Sequence, residues 1–582
     1  MLAAGMLTAA SCSDFSDYNE VPASLQPSGD QTLWENITQN PQLTQFASLL
    51  RRTGFTAQLS QPRAYTIWAP LNNTYDYSAY EQMSDSMLMA RFVKNHIAEF
   101  NHLATGAISE ENRIHMLNNK SYVFSGNGKY QFDGNDIVQA NLPSMNGVMH
   151  LMHGAAQFYP NLYEYLAIGE DIDSLNNYFK RYEVTTLDLT ESEKGPIVDG
   201  MQTYVDSVMV TTNSLLGNGG VRADIESEDS SYTFLMPNND AYMKLYNKVK
   251  PLFNFLSKTK IQDVENLTSA GGTTASADAT RNKTYKEAPA LNAAYMADSL
   301  VRRIIVRNLI YSNNEGYYNE KVRKGDFDNL DELTKDTVYS TTRHKLTNAK
   351  ALFDDYMVGQ PVKMSNGSAR IIDSIAILPW ETYNPEIVVT PLRNRGNLFS
   401  ANTTNVHMYG FYNPIQLMGM SYPVTEFNYL MMEPNTTSGK PDLFLKLPGV
   451  HSGTYKFYCV VLPASWGTND ERSTPMNFDL SYCDAKGALQ NWHFSSNPDD
   501  KNPTLSLNTA FINDYTKVDT LELGEFTFPV NYDGLGEDYY PSLYISSPVS
   551  TSSLRKTWSR EFRIYAVILK PVELVEYEEK NK

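Results

Sequence analysis

The sequence predicts an α+β protein in which two related mixed domains are followed by an all-β sandwich. Three sequence blocks occur twice in the same order, each copy contains helical and strand patterns, and the last third of the chain contains strand patterns only. A chain of 582 residues has room for three such domains. We predict their bounds at 30–170, 171–392 and 393–582, after a signal and linker at 1–29.

The repeat consists of three matched pairs of blocks. YTIWAPLNNTY (65–75) matches YTFLMPNNDAY (232–242), DSMLMARFVKNHI (85–97) matches DSLVRRIIVRNLI (298–310), and NGVMHLMHGAAQFYP (146–160) matches NGSARIIDSIAILP (366–379). In the first pair Pro70 matches Pro237, and Asn73 matches Asn239 or its neighbour. The second copy carries roughly 46 extra residues between its first two blocks. They are rich in Gly, Ser, Thr and Ala, so we expect a mobile surface excursion there.

Each copy mixes helix and strand. Behind Asp85, which we expect to cap a helix, apolar residues recur at helical spacing: Leu88, Met89, Phe92, Val93 and Ile97. The stretch KSYVFSGNGKYQF (120–132) places Gly126, Asn127 and Gly128 between two apolar runs, which is typical of a β-hairpin.

The last third is typical of a sandwich of strands. KPDLFLKLPGVHSGTYKFYCVVLP (440–463) predicts a hairpin that turns between Gly449 and Gly453. VDTLELGEFTFPV (518–530) and REFRIYAVILKP (560–571) predict further strands. In the second of these we expect one face to carry Phe562, Ile564, Ala566 and Ile568.

Two cysteines, Cys459 and Cys483, lie in the predicted sandwich. Alternation puts Cys459 on the apolar face of its strand, and puts Cys483 on the face of Asp479 and Ser481 or at the strand end. A disulfide between them stays open, and two buried thiols are favoured.

The repeated blocks resemble the motifs of the fasciclin (FAS1) family. TIWAPLNNTY is similar to its first motif, TVFAPTNxAF, VKNHI to its central Tyr-His motif, and NGVMHLMHGAAQFYP to its second motif, NGxIHxIDxxLxP. The stretch TLWENITQNPQLTQFASLLRRTGF resembles its first helices. The resemblance covers about residues 30 to 392 and implies two tandem FAS1-like domains, each a β-wedge with helices beside it.

The chain departs from the family motifs at several positions. Asn95 stands where Tyr is usual, and His153 where Asp is usual. The second copy has Leu309 and Arg370 where the first has His96 and His150. Beyond residue 392, FRIYAVILKP and the predicted hairpin resemble the galactose-binding-like jelly rolls of carbohydrate-binding modules, which implies a sandwich of jelly-roll type.

The histidine pair of NGVMHLMHGAAQFYP raises the question of a metal site. If the block is a strand, His150 and His153 point to opposite faces and do not bind one ion. We therefore predict no metal here, and expect His96 to pack beside Phe92 on the apolar side of its helix. Calcium near Asp533, with Glu537 and Asp538 of DGLGED, stays open.

Catalytic motifs are missing from the sequence. It contains no G-x-S-x-G, P-loop, H-E-x-x-H or C-x-x-C, so we expect a protein that is not an enzyme and uses no cofactor. Aromatic side chains on sandwich loops are the predicted ligand-binding residues, because flat rings stack on sugar faces and peptide side chains. They are Trp466, Trp492, Tyr539 and Tyr540.

The N-terminus MLAAGMLTAASCSDFSD resembles the lipobox of a bacterial lipoprotein, in which Cys12 receives the lipid, including palmitate. Ser13 and Asp14 behind it resemble the export signal that sends Bacteroidota lipoproteins to the outer face of the outer membrane. The net charge of −18 argues against nucleic acid as a partner and leaves the lipid anchor as the membrane contact.

These resemblances together imply an accessory surface lipoprotein of a SusC/SusD-type importer. Its expected partners are a SusC-like TonB-dependent transporter, a SusD-like lipoprotein and a glycan or peptide ligand. The alternative is a cell-adhesion protein that binds host matrix or other cells through its FAS1 domains.

Overall fold

The computed structural model describes most of the chain beyond residue 28. The described ranges are 29–198, 200–257, 260–262, 285–287, 292–313, 338–390, 398–399, 404–410, 428–464, 470–497, 499, 505–536 and 539–582. The chain divides into two compact units. The first comprises residues up to Ile168 together with 224–231 and 362–368, and the second comprises the remainder. Within the described ranges, no helix is long and apolar enough to cross a bilayer.

The described part of the first unit contains five short α-helices, and all of them except α2 begin at a side-chain cap. They are α1 (Leu33–Gln39), α2 (Thr44–Arg52), α3 (Tyr77–Glu81), α4 (Asp85–Leu88) and α5 (Leu162–Leu166). Thr32 and Glu35 form a capping box at α1, and Asn161 and Glu164 form one at α5. These reciprocal bonds satisfy the first backbone N–H groups of each helix.

The strands of the first unit form an eight-stranded sheet in the order β2-β1-β8-β7-β6-β5-β3, with β4 on β5. They are β1 (Tyr65–Pro70), β2 (Ile97–Glu99), β3 (Ala107–Ile108), β4 (Arg113–His115), β5 (Ser121–Asn127), β6 (Lys129–Phe132), β7 (Asn135–Ser144) and β8 (Gly147–Met152). Strands β1 and β8 are parallel, and every residue in them is buried. Apolar clusters cover both of their faces, which is why these strands are continuously apolar.

The structure confirms the predicted hairpin and corrects the predicted helix. Strands β5 and β6 pair antiparallel across Gly128, whose φ of +75° suits a glycine at the turn. The cap of α4 is Ser84, not Asp85: the Ser84 hydroxyl accepts the N–H of Met87 at 3.3 Å, and Asp85 is the first helical residue. The helix then changes to a π turn at Met89–Val93, in which Phe92 and Val93 are buried although the regular α-helix has ended.

The described part of the second unit begins with helices and short strands. They are α6 (Asp173–Lys180), β9 (Glu183–Leu187), β10 (Glu193–Val198), β11 (Met201–Asp206), β12 (Met209–Asn213), β13 (Tyr232–Pro237), α7 (Asn239–Val249), β14 (Lys260–Gln262), β15 (Tyr285–Glu287), α8 (Ala293–Val306), β16 (Ile310–Ser312), β17 (Val338–Tyr339) and β18 (Lys345–Leu346). Strand β19 (Val362–Met364) belongs to the first unit, β20 (Gly367–Ile372) continues from it into the second, and α9 (Pro379–Thr382) follows. Strand β13 lies between β16 and β20, as β1 lies between β2 and β8. The predicted surface excursion contains the paired strands β14 and β15, and its other residues lie mostly outside the described ranges.

Equivalent asparagines make the same hydrogen bonds in the two copies. The amide oxygen of Asn146 accepts the N–H of Leu33 at 2.8 Å, and that of Asn366 accepts the N–H of Leu162 at 2.9 Å. Each amide nitrogen donates to two backbone carbonyls, those of Leu59 and Gln61 for Asn146 and those of Ile225 and Ser227 for Asn366. Helices α1 and α5 therefore hold equivalent positions in the repeat.

A second pair of asparagines follows the first block. The amide oxygen of Asn72 accepts the N–H of Gln45, and that of Asn239 accepts the N–H of Ser174. The residue that matches Asn239 is thus Asn72, the neighbour of Asn73. Two ion pairs also correspond, Arg52 with Asp85 and Arg181 with Asp298.

The last part of the second unit has two six-stranded antiparallel sheets. Their strands are β21 (Ile387–Val389), β22 (Leu398–Phe399), β23 (Thr404–Gly410), β24 (Asn428–Pro434), β25 (Asp442–Lys446), β26 (Gly453–Leu462), β27 (Pro475–Cys483), β28 (Leu489–Phe494), β29 (Phe511–Ile512), β30 (Asp519–Phe528), β31 (Ser542–Ser546) and β32 (Phe562–Pro571), with helices α10 (Leu554–Thr557) and α11 (Val572–Lys580). One sheet has the order β23-β24-β32-β26-β30 with β21 on β32, and the other has β22-β25-β31-β27-β28 with β29 on β27. Apolar side chains of both sheets share one core, so this part is a sandwich.

Two predictions for the sandwich are wrong. Strands β25 and β26 do not form a hairpin, because β25 pairs with β31 in one sheet and β26 pairs with β30 and β32 in the other. The Gly449–Gly453 connection therefore crosses between the two sheets. A bulge at Tyr565, where Val460 faces Ala566 and Val461 faces Ile564, shifts the alternation of β32.

That bulge changes which side chains enter the core. Phe562 and Ile564 lie in the core shared by the sheets, whereas Ala566 and Ile568 belong to a separate cluster. The two thiols, Cys459 and Cys483, are both buried in the shared core and do not form a disulfide.

Candidate functional site

The histidines of the third block lie in different surroundings. His150 is buried in strand β8, its Nε2–H donates to the carbonyl of His102 at 2.9 Å, and its Nδ1 accepts the N–H of Asn141 at 3.3 Å. His153 follows the end of β8 and is exposed. The predicted strand is confirmed. Within the described residues, no group of three or more His, Cys, Asp or Glu side chains is placed to hold a metal ion.

His96 is a packed histidine, as expected. Its Nδ1–H donates to the carbonyl of Phe92 at 2.7 Å, and its Nε2 accepts the N–H of Ala156 at 3.0 Å. Burial lowers the pKa of His96 to about 4, and that of His150 also to about 4. Both imidazoles are therefore neutral at physiological pH.

We expect the free energy of unfolding of this unit to fall as the pH drops from about 6.5 to about 4. The folded histidines stay neutral to about pH 4, whereas in the unfolded chain they take up protons near pH 6.5. Because the unfolded state binds more protons in this window, each histidine removes up to about 3 kcal/mol. Hydrogen exchange of the β1 and β8 amides, corrected for intrinsic rates, measures the slope. Replacing His96 with Leu, the residue at the equivalent Leu309, should roughly halve that slope. If the pH dependence of the unfolding free energy does not change in this variant, it does not arise from His96.

The residues predicted for lipid and ligand binding fall in several places. Cys12, Trp466, Glu537 and Asp538 lie outside the described residues. Trp492 is on the edge strand β28, 44% exposed, with its ring centroid 5.7 Å from that of Phe526.

Tyr539 and Tyr540 are partly buried in the loop before β31. Ser542 of β31 faces Ser481 of β27, which faces Asn491 of β28. This register places Trp492 of β28 near the end of the sheet at which the loop carrying both tyrosines leads into β31.

Sequence reasoning missed a pocket in the first unit, at the carboxyl ends of β1 and β8. Because these strands are parallel neighbours, the loops that follow them emerge at the same edge of the sheet. Two hydrogen bonds join the loops: the N–H of Leu71 donates to the carbonyl of Met152, and the N–H of Gly154 donates to the hydroxyl of Thr74, each at 3.0 Å. The first and third sequence blocks therefore meet here.

We call this cavity the Tyr75 pocket, after the tyrosine in its wall. Its volume is about 520 Å³, and its wall includes Tyr75, Asp76, Tyr80, Arg91, Gln157 and Phe158. Gly154 also lines it with a φ of +106°, and a Cβ at that position would lie 2.3 Å from the side-chain oxygen of Asn135. A side chain at this position would strain the backbone and displace the side chain of Asn135.

Aromatic rings form one side of the Tyr75 pocket. Tyr80 packs on Phe92 with ring centroids 4.3 Å apart, and Tyr75 stacks on the same ring at 5.7 Å. Burial raises the pKa of both Tyr75 and Tyr80, so both hydroxyls remain protonated at neutral pH.

Polar groups form the rest of the wall. Asp76 caps α3, and its Oδ1 accepts the Ser78 hydroxyl at 2.7 Å and the N–H of Ala79 at 3.2 Å. These hydrogen bonds lower the pKa of Asp76. A wall of rings and directed polar groups suits a ligand that is flat on one side and polar at its edges.

A family model for the fasciclin domain matches residues 41–155. Residues 41–155 are a fasciclin domain. All but two residues of the pocket wall fall inside this match: Gln157 and Phe158 lie just beyond it, and the fasciclin domain supplies the remainder. No curated protein matches the chain.

Solved structures resemble the chain remotely. A FAS1 domain pair from the insect cell adhesion molecule Fasciclin I is 9% identical, covers 59% of this chain and 99% of its own, and has a TM-score of 0.20. CBM22-1 and GH10 modules of a Clostridium thermocellum xylanase, solved with xylohexaose, are 9% identical, with a TM-score of 0.20. The match covers 32% of this chain and spans only 28% of that one. The CBM22-1 xylan-binding domain of Paenibacillus barcinonensis Xyn10C is 12% identical over 32% of this chain and 89% of its own, with a TM-score of 0.19.

The second copy lacks the polar wall of the fasciclin domain's pocket. Alignment of the blocks places Ile304 opposite Arg91, Ile377 opposite Gln157, and Leu378 opposite Phe158. These differences between the two copies are the sequence signal that could have revealed the site.

A larger groove lies in the second unit. Its volume is about 820 Å³, and its wall is mainly apolar, with Phe253, Phe255, Ala297 and Phe528. The polar Asn254 in that wall is already engaged, because its amide donates to the carbonyl of Pro529 at 2.7 Å. The Tyr75 pocket of the fasciclin domain offers more directed polar groups, so we take it as the candidate site.

Proposed function

We propose that this protein is a surface-exposed binding protein that captures glycan or peptide nutrients and carries out no catalysis. The observation that carries the proposal is the Tyr75 pocket, in which rings and polar side chains line an open cavity of about 520 Å³. Such a wall binds by stacking and hydrogen bonding. Trp466, Trp492, Tyr539 and Tyr540 remain candidates for a second contact surface on the sandwich.

We extend the domain assignment beyond the matched residues. The second copy is proposed to be another FAS1-like domain, which gives a tandem pair. The matched hydrogen bonds of Asn146 and Asn366 support this, and they make α5 (Leu162–Leu166) the first helix of the second copy. The C-terminal sandwich is proposed to be of jelly-roll type.

The proposed location is the outer face of the outer membrane, with lipid on Cys12 as the anchor. The proposed partners are a SusC-like TonB-dependent transporter and its SusD-like lipoprotein, which the protein serves as an accessory subunit. A protein partner is supported by the paired strands β9–β12 and β10–β11. They expose the apolar side chains of Ile197, Met201 and Val205 to between 70% and 72%, which is typical of a docking surface.

Glycan and peptide arrays probed with the full chain test the proposal. We expect Tyr80→Ala to weaken captured signals about tenfold or more, because it removes one ring from the pocket. Leu378→Ala, in the second copy and outside the pocket, is the control and should change nothing. Trp492→Ala reports on the sandwich surface. If Trp492→Ala abolishes capture and Tyr80→Ala does not, the ligand site is on the sandwich. Product release from any arrayed glycan would contradict a purely binding role.

Cell adhesion is the second candidate, because the fasciclin domain is linked to adhesion or binding. On that alternative the full chain would attach to host matrix or to other cells, and extraction from native membranes would recover it without a transporter. Nutrient capture predicts co-extraction with the transporter and its SusD-like lipoprotein.

A further inference from the structure

Arg91 is a cation without a counter-ion in the wall of the Tyr75 pocket. Its guanidinium carbon lies 5.3 Å from the ring centroid of Phe158. Among the described residues, no carboxylate lies within ion-pair distance of Arg91 and no acceptor receives its N–H groups. Its guanidinium N–H groups are therefore available to a ligand at the pocket wall.

A second cation over the same ring provides the contrast. The ammonium of Lys120 lies 5.5 Å from the Phe158 centroid, and it contacts the carboxylates of Glu164 and Glu228, each at 2.7 Å. The protein thus supplies counter-ions to one cation on Phe158 and leaves the other without one.

The rest of the pocket wall offers a hydrogen-bond acceptor and a hydrogen-bond donor that are available to a ligand. The Ser78 hydroxyl and the Ala79 N–H both donate to Oδ1 of Asp76, so its Oδ2 can accept from a ligand. The Oε1 of Gln157 accepts the hydroxyl of Tyr159 at 3.1 Å, and its Nε2 has no acceptor within the described chain. Asp76 and Arg91 do not pair with each other, although both line the pocket.

We propose that the Tyr75 pocket binds an acidic sugar, a uronic acid unit of a glycan, with Arg91 holding its carboxylate. The planar guanidinium, preset on the ring of Phe158, donates two parallel N–H bonds to the carboxylate. Sugar hydroxyls donate to Asp76 Oδ2 and accept from Gln157 Nε2, while Tyr80 stacks on the sugar face. This deepens the proposed function and depends on it.

Calorimetric titration of the purified full chain tests the proposal with two probes, a galacturonic acid trimer and the neutral galactose trimer of the same linkage. We expect the acidic trimer to bind at least about tenfold tighter, and Arg91→Gln to remove that preference. Arg51→Gln is the matched control, because Arg51 lies over Trp34 at 5.5 Å on the exposed side of α2, outside the pocket. Arg91→Lys should retain part of the preference, because lysine keeps the positive charge but cannot donate two parallel N–H bonds to the carboxylate. Hydrogen exchange of the β1 and β8 amides verifies that each variant is folded.

The possible outcomes separate the two proposals. Equal affinity for both trimers, or an unchanged preference in Arg91→Gln, overturns the acidic-sugar proposal, and if Tyr80→Ala still weakens both trimers the binding function stands. Preference for a peptide with a free C-terminal carboxylate over the acidic trimer also overturns it, in favour of a peptide ligand. If neither trimer binds and Tyr80→Ala changes no array signal, both the acidic-sugar proposal and the assignment of function to this pocket fail.

Discussion

Replacing Lys120 with Met should lower the free energy of unfolding of the first compact unit by about 3 to 5 kcal/mol. The Lys120 side chain is 3% exposed, and its ammonium contacts Glu164 and Glu228, each at 2.7 Å. Glu228 is itself only 10% exposed, so removal of the lysine leaves a buried carboxylate that still accepts the hydroxyl of Ser365 but has lost its cation. An uncompensated buried charge is among the largest single destabilisations that a protein shows.

The expected loss has a spatial signature. Lys120, Glu164, Glu228 and Ser365 come from the three segments that make up the first unit, which are the residues up to Ile168, 224–231 and 362–368. Hydrogen exchange should therefore accelerate in all three segments together.

Two controls accompany the Lys120 variant. Lys129→Met, on the exposed strand β6, should change stability by less than about 0.5 kcal/mol. The double variant Lys120→Met with Glu228→Gln should recover a large part of the loss, because it removes both charges. A stability within about 1 kcal/mol of the unmodified chain for Lys120→Met alone would show that the cluster is not a buried ion pair in solution.

Asn146→Ala should lower the stability of the fasciclin domain by about 3 kcal/mol. The side chain is 6% exposed and makes three hydrogen bonds to backbone groups. Truncation leaves the N–H of Leu33 and the carbonyls of Leu59 and Gln61 without that partner. Exchange protection should be lost first in α1 and in the segment around Leu59.

The repeat provides a matched variant for this prediction. Asn366→Ala removes the same three kinds of bond and should lose protection in α5 and at residues 225–227 instead. Gln131→Ala, at an exposed position of β6, serves as the neutral control. If Asn146→Ala accelerates hydrogen exchange uniformly along the chain, Asn146 does not act specifically on α1 and the segment around Leu59.

Local patterns were sufficient where neighbouring residues decide the structure. The hairpin around Gly128 was predicted correctly because a glycine between two apolar runs specifies the turn on its own. The strand at NGVMHLM was also correct, and with it the separation of His150 from His153. The sequence also contained the repeat, which reappears in the matched hydrogen bonds of Asn146 and Asn366.

Local patterns failed where pairing partners are distant in the chain. Two apolar runs joined by a Gly449–Gly453 turn look the same whether the strands pair with each other or join opposite sheets. The choice depends on β31 and β30, which lie far along the chain and pair with β25 and β26 respectively. The alternation of β32 was likewise broken by a bulge at Tyr565 that simple period-two counting does not contain.

By itself, the sequence determined the class of the protein, the two copies and the short elements whose turns and caps are written in adjacent residues. Only the tertiary structure decided which side chains line a common pocket. Tyr75, Arg91 and Phe158 belong to three separate blocks, and no spacing between them predicts a common cavity. They meet because β1 and β8 run parallel and side by side, so that their following loops emerge at one edge, while the π turn of Met89–Val93 presents Arg91 toward the same space. Strand pairing across more than 70 residues is a property of the packed core, because burial of both strand faces selects the register and the register places the loops.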